Sequence, residues 1–292
     1  MKRHFLARQG WTIWHPAVAL ALAAIGVFLT RAAWDDIRKI AMVDEEQSHI
    51  FLVPLVAAWM IWVRRFRLRN CAPAGTIVGP IVVAAGWLCS FVGYTDAIQS
   101  VWHLGAVLVA VGCLLSVLGV NVLFRFMPAF AVLVFLVPMP NAIRQMISIP
   151  LQTATAATTQ VILETLGVAI ERNGNVLSIN NIEVAVAEAC NGMRMVFALV
   201  LVSYAFAFGM PLRNFMRVIV LVASPFAAIL CNVLRLIPTI LLFGYSSSEV
   251  ATAFHDISGW LMLPIAFGIL LGVVRTLSWA LIPVNRFTLA YQ

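Results

Sequence analysis

Apolar runs of bilayer-spanning length recur along this chain, and they constrain its fold more than any single motif does. A run of about 20 apolar residues can satisfy its own backbone as a helix and cross a hydrocarbon core of about 30 Å. Eight such segments are read at roughly 15–33, 50–63, 76–94, 101–119, 125–140, 190–209, 217–242 and 257–276. Composition agrees: 62% of the 292 residues are hydrophobic and 11% are charged, and mean hydropathy is +0.97. A water-soluble domain needs charge to cover its surface and cannot hide that much apolar area. The expected fold class is an all-α polytopic membrane protein. It is a bundle of about eight transmembrane helices with a small extracytoplasmic β-hairpin. Lys2, Arg3 and Arg8 precede the first run. No small-x-small cleavage site follows it, so it reads as a span and not as a cleaved leader.

Charge sets the expected orientation. With an even number of spans both termini share one side, and basic residues mark the cytoplasmic side. Of 19 Lys and Arg, about 12 then fall inside, including Lys2, Arg3, Arg8 and the cluster Arg64, Arg65, Arg67 and Arg69. Arg31, Arg38, Lys39, Arg144, Arg172, Arg194 and Arg235 fall outside, together with all 12 acids. The basic excess therefore reports topology and not nucleic-acid binding. The localisation expected is a bacterial inner membrane, multi-pass, with both termini cytoplasmic.

The stretch 141–189 would lie outside. Its first part, Arg144 to Ile170, mixes Gln and Thr with apolar residues, as in a helix on the membrane surface or packed across the bundle. In its second part Val176–Ile179 and Ile182–Val186 flank Asn180-Asn181. A two-residue Asn-Asn turn supplies the positive φ of a hairpin, which would serve as a lid or as a docking edge for an extended peptide. An ordinary ordered loop is the alternative. No internal repeat and no inverted pair of broken helices is visible.

Three reactive residues fall at predicted span ends: Cys190, Arg235 and His255. Arg235 is 18 residues beyond Arg217, a helical rise of about 27 Å, which nearly crosses the core and brings Arg235 to the outer level of the other two. A thiolate attacks a carbonyl, an imidazole moves the proton, and a guanidinium holds the substrate or the oxyanion. Arg194 lies one helical turn from Cys190. Each residue also has a bland reading: a packed cysteine, an interfacial histidine, and an arginine neutralised by Glu188 or Asp256. An arginine at a span centre costs about 2.5–3.5 kcal/mol, so it needs a partner or a function. Glu45, Glu46, Ser48 and His49 at the mouth of the second span could bind substrate or metal, although a solvated loop end is the simpler reading. Cys71, Cys89, Cys113 and Cys231 complete an odd set of five with no metal spacing, so neither a disulfide framework nor a metal or other cofactor is expected.

Read in order, these blocks resemble the exosortase family and, more distantly, the archaeosortases. Ser48-His49-Ile50-Phe51-Leu52-Val53-Pro54 with the following basic loop resembles the family's Ser-His-Gly-Phe-Leu-Val-Pro segment, with Ile50 in place of Gly. Pro138-Met139-Pro140 resembles its Pro-Leu-Pro turn. Glu188-Ala189-Cys190-Asn191-Gly192-Met193-Arg194 resembles its Cys-Ser-Gly block, with Asn191 in place of Ser. Asn232-Val233-Leu234-Arg235 resembles its Asn-x-x-Arg block, and Phe254-His255 with Gly259 its His block. The resemblance implies a membrane-embedded cysteine transpeptidase with one domain over 1–292. No C-terminal soluble domain of the kind that some relatives carry is expected after this region. Cys190 would be the nucleophile, Arg235 the stabilising cation and His255 the acid/base. Arg194, Asn232, Asn191, Glu188 and His49 would support them or contact substrate. The implied partners are membrane-anchored proteins with a C-terminal sorting signal, and the lipid bilayer; oligomeric state is left open. Two other classes stay in view: a non-catalytic component of exopolysaccharide or envelope export, and an anion transporter built around Arg235.

Overall fold

The structure, a computed structural model, describes residues 10–186, 192–210 and 212–280. The apolar runs fold as helices α1 (Trp14–Leu29), α2 (Arg31–Val43), α3 (Leu52–Val63), α4 (Val78–Thr95), α5 (Gln99–Leu118), α6 (Val120–Arg125), α7 (Met127–Ala131), α8 (Asn141–Thr165), α9 (Gly192–Gly209), α10 (Asn214–Tyr245) and α11 (Ser248–Ala280). Strands β1 (Glu171–Asn173), β2 (Val176–Ile179) and β3 (Ile182–Ala185) lie between α8 and α9.

Four segments are each long and apolar enough to cross a membrane: Glu46–Val63, α4, α5 and α10. Three others qualify only as bent pairs: α1 with α2 at 80°, Met127–Leu136 with α8 at 90°, and the two halves of α11 at 47°. By length and composition this makes four to seven spans among the described residues, with α9 a shorter apolar helix. The chain is a multi-pass helical membrane protein.

Two expectations are corrected and one feature is added. The run 125–140 is not one helix. It comprises α7, a tighter 3-10 stretch Val132–Leu136, and an extended Val137. Pro138 drives Val137 out of the helical region, and Pro140 does the same to the residue before it, so the chain turns before α8. Bent helix pairs, which the sequence reading did not foresee, occur three times among the described residues. His255 lies within α11 and not before it, because that helix starts at Ser248, where the hydrophobic pattern is still weak.

The bend after α1 has a local cause. Arg31, Asp35, Asp36, Arg38 and Lys39 crowd onto α2, which buries only the stripe Ala33, Ile37 and Ala41. Such a helix suits an interface better than a bilayer interior.

The chain packs as two compact units, one of residues up to Ile147 with Tyr204–Met210, the other of Ser148–Ser203 with the residues from 212 on. In the first, α4 and α5 meet backbone to backbone. Gly79, Gly86 and Gly93 recur every seven residues on α4; Gly79 lies against Ser116 and Gly112 of α5, Gly86 against Val109 and Gly105, and Gly93 against the backbone of Trp102. A Cβ added at Gly86 would stand 2.7 Å from Val109 N and 2.9 Å from Gly105 O. Small residues let apolar helices reach van der Waals contact where lipid gives no hydrophobic drive.

Polar ties close both ends of this unit. At one end His103 Nε2 meets Asp36 Oδ2 at 2.9 Å, and Arg144 donates to Asp44 at 2.5 Å and Glu46 at 2.9 Å. There Gln47 Oε1 also accepts from Met139 N at 3.1 Å. At the other end Arg64 donates to Phe208 O, Arg67 to Arg125 O and Trp11 to Cys71 O. Residues that the charge sort assigned to one side therefore meet one another.

In the second unit the Asn-Asn hairpin forms as read, with φ of 50° at Asn180 and 62° at Asn181. The sequence reading missed β1, which pairs antiparallel with β2 through the Gly174-Asn175 turn and makes a three-stranded sheet β1-β2-β3. Leu177, Ile179, Val184 and Val186 pack onto Ala156 and Leu163 of α8 and onto Leu236 and Ile240 of α10.

The glycine seam makes a prediction. Gly86→Ala should destabilise the protein by about 2 kcal/mol, because backbone stands where the methyl must go. Gly268→Ala, facing open space, should be neutral or slightly stabilising. Thermal unfolding of the two variants in detergent measures the difference.

Candidate active site around Arg235

Arg235 and His255 lie in the second unit, on the antiparallel pair α10 and α11. The helix α10 runs on through Pro225 and Pro238 and ends where Ser246 turns extended (φ −129°). Ser247 Oγ then accepts from Val250 N at 3.4 Å at the start of α11. Arg235 lies some ten residues before this turn and His255 some eight after it, so antiparallel packing brings them nearly level. The length of the arginine side chain closes the rest of the gap.

Arg235 is buried, at 6% exposure. Its Nε donates to Ser258 Oγ at 3.1 Å and its Nη2 to His255 O at 2.9 Å. Ser258 Oγ in turn donates to His255 O at 3.0 Å. Gly259 leaves the space the guanidinium occupies: a Cβ there would lie 3.3 Å from Nη2. Every acceptor in this clamp is neutral, and no carboxylate among the described residues pairs with Arg235. The structure thus removes one of the two bland readings of this arginine, since Asp256 does not neutralise it. The other acid suggested, Glu188, lies outside the described residues. A buried guanidinium held by neutral dipoles keeps its charge available for an anion or a developing oxyanion.

Asp256 pairs instead with His255. Its Oδ1 stands 3.1 Å from His255 Nδ1, and the imidazole is half-buried. A carboxylate on Nδ1 favours the tautomer with that nitrogen protonated, which leaves Nε2 as the basic position. Asn232, one turn before Arg235, is 3% exposed, and its Oδ1 has no partner among the described residues. A buried acceptor without a donor is uncommon enough to mark a place where a ligand N–H could bind. Arg194 is half-buried in the first turn of α9. Cys190 and Asn191 lie, like Glu188, outside the described residues.

The other cysteines are accounted for. All four described ones are free thiols. Cys231 is fully buried with Met195, Leu199, Ala227, Ala228 and Ala266. Cys113 packs beside Gly26 between α5 and α1. Cys71 is buried next to the basic loop, and burial pushes its thiol up, with the charge of Arg125 acting in the opposite direction. A thiol held protonated is a poor nucleophile.

The candidates at the second span's mouth belong to the first unit. Glu46 and Asp44 are engaged by Arg144, and His49 Nδ1 lies 3.2 Å from Glu46 O within its own turn. No group of three potential metal ligands occurs among the described residues. A cavity of about 380 Å³ opens here between Lys39, Gln47, His103, Met139 and Arg144. Sequence reasoning missed both this cavity and Ser258. The signal for Ser258 was its i+3 spacing from His255, which sets its hydroxyl against the carbonyl that Arg235 also uses.

No curated protein and no solved structure matches the chain. A sequence model described as transmembrane exosortase matches residues 34–272, from α2 into α11. The matched region covers more than four fifths of the 292 residues and includes Cys190, Arg235 and His255. The chain belongs to the transmembrane exosortase family.

Proposed function

We propose that this chain is a membrane-embedded cysteine transpeptidase or protease that cleaves C-terminal sorting signals of exported proteins at the outer face of the inner membrane. The observation that carries this reading is the buried guanidinium of Arg235, clamped to the backbone of His255 with no carboxylate partner among the described residues. Family membership supports it. In the step proposed, the Cys190 thiolate attacks the scissile carbonyl carbon. The oxyanion that forms is stabilised by Arg235. Collapse breaks the C–N bond, and the leaving amine takes a proton from His255, which Asp256 orients. A thioester on Cys190 remains. An acceptor amine, or water, then gives a proton to His255 Nε2 and attacks the thioester, and the C–S bond breaks to return the thiolate. Arg194 adds positive field beside the thiolate. Asn232 Oδ1 accepts an N–H of the bound peptide. Asn191 and Glu188 flank the nucleophile in sequence.

One rival gains from the structure. Bent helix pairs and a buried arginine are also found in anion transporters. That reading requires solute uptake into proteoliposomes, and it leaves Cys190 replaceable. Free replacement of Cys190 without any uptake activity would point instead to a non-catalytic export component.

Three outcomes are expected. Cells whose copy carries Cys190→Ala, at normal membrane level, should accumulate proteins that retain an apolar C-terminal helix and basic tail. A comparison of membrane proteomes reads this directly, and an unchanged processing pattern sinks the proposal. Arg235→Lys should slow processing about 100-fold, because an ammonium cannot reproduce the forked clamp on His255 O and Ser258 Oγ. For orientation, a phosphatase active only outside the cytoplasm should be active when fused after Asp96 and inactive when fused after Asn70. The reverse pattern would place the site on the wrong side for a sorting signal.

A further inference from the structure

We infer that the free edge of β3 is the docking strand for the processed polypeptide, which joins the sheet as a fourth strand beside it. This rests on the transpeptidase reading and adds how the substrate chain is held.

The ladder fixes which groups are available. Residues of β3 pair with β2 in the register Ile179↔Ile182, Ser178↔Glu183, Leu177↔Val184 and Val176↔Ala185. Val186 N donates to Asn175 O at 2.9 Å. In an antiparallel pair, hydrogen-bonded and non-bonded positions alternate. With residue 186 bonded, Val184 and Ile182 are bonded too, and the two-residue Asn180-Asn181 turn has the same phase. Glu183 and Ala185 therefore direct their N–H and C=O away from β2. Among the described residues no hydrogen bond reaches either amide.

The other margin of the sheet is closed off. Arg172 on β1 donates to Gly174 O and to Gln160 Oε1 of α8, both at 3.0 Å. A charged side chain folded across an edge is a usual way to block pairing there. Nothing comparable covers β3 among the described residues.

Position ties this edge to the site. The buried face of the sheet rests on Leu236, the residue after Arg235. Asn180 Nδ2 donates to Gly244 O at 2.9 Å and fixes the hairpin to the end of the same helix. Ala185 precedes Cys190 by five residues, a chain length that reaches at most about 18 Å. The strand that leads toward the thiol therefore carries the open edge. An added strand binds through main-chain hydrogen bonds and tolerates varied side chains, and it presents its own carbonyls in extended form. The occupant that fits is an extended segment of a polypeptide next to its cleavage point. A second copy of this chain pairing edge to edge is the competing occupant.

Proline tests the edge without breaking the hairpin, because the Glu183 N–H makes no bond to β2. Glu183→Pro should reduce processing of the proteins that accumulate in Cys190→Ala cells by about tenfold. Glu183→Ala, which keeps the N–H, should stay within about twofold. Equal processing by the two variants at equal membrane level overturns the inference. A photo-crosslinking residue in place of Glu183, in the Cys190→Ala background, gives a readout that needs neither proline nor turnover. Crosslinks to those same unprocessed proteins support the inference; crosslinks only to a second copy, or none, overturn it. If Cys190→Ala cells process normally, the transpeptidase reading itself fails. In that case the crosslink is sought to any protein with an apolar C-terminal helix and basic tail, and its absence overturns the edge as well.

Discussion

A charge inside an apolar helix pair must be held by something, and here Arg235 is held by neutral oxygen atoms alone among the described residues. The arrangement is economical. The guanidinium bonds the carbonyl of His255 and the hydroxyl of Ser258, that hydroxyl bonds the same carbonyl, and Gly259 leaves the necessary space. These contacts pin α10 to α11 and set the level of the imidazole. Taking the carbonyl of His255 as acceptor, and not its ring, leaves the ring to pair with Asp256. The clamp thus fixes where His255 lies without using the nitrogen atoms that chemistry would need.

Much of this was legible in the sequence. Apolar runs marked the helices because length and hydropathy alone decide whether a segment suits lipid. The Asn-Asn turn was readable because few residues adopt positive φ at two successive positions. The charge sort grouped Asp44, Glu46 and Arg144, which do meet. What was not legible depends on contacts distant in sequence or on local geometry without a compositional mark. The strand β1 is Glu-Arg-Asn, with no β-forming residue, and it exists because the Gly174-Asn175 turn folds it onto β2. The start of α11 at Ser248 was hidden because Glu249, Thr252 and Asp256 interrupt the apolar pattern. Ser258 reads as an ordinary helix serine until a guanidinium is placed beside it.

The glycines of α4 show the opposite case. Their spacing of seven is visible in the sequence, but small residues at one heptad position mean little until the partner helix is known. Opposed by Gly105 and Gly112, they make a seam in which backbone lies against backbone. The first unit gains there a stiff helix pair, and its polar ties at either end fasten the remaining helices around it.

The length of α10 has a consequence for the fate of the proposed acyl intermediate. Its 32 residues rise about 48 Å, against a hydrocarbon thickness of about 30 Å. Even at a steep tilt of 40° it spans about 37 Å, so roughly 7 Å or more must stand clear of the lipid tails. At the end bound to Asn180 the sheet exposes Glu171 and Glu183, which hydrocarbon would not accept, so that end can supply the projection. A thioester formed near that end would lie at the boundary with water. The partition between transfer and hydrolysis would then be a contest between the local concentration of the acceptor amine and a solvent that is always present.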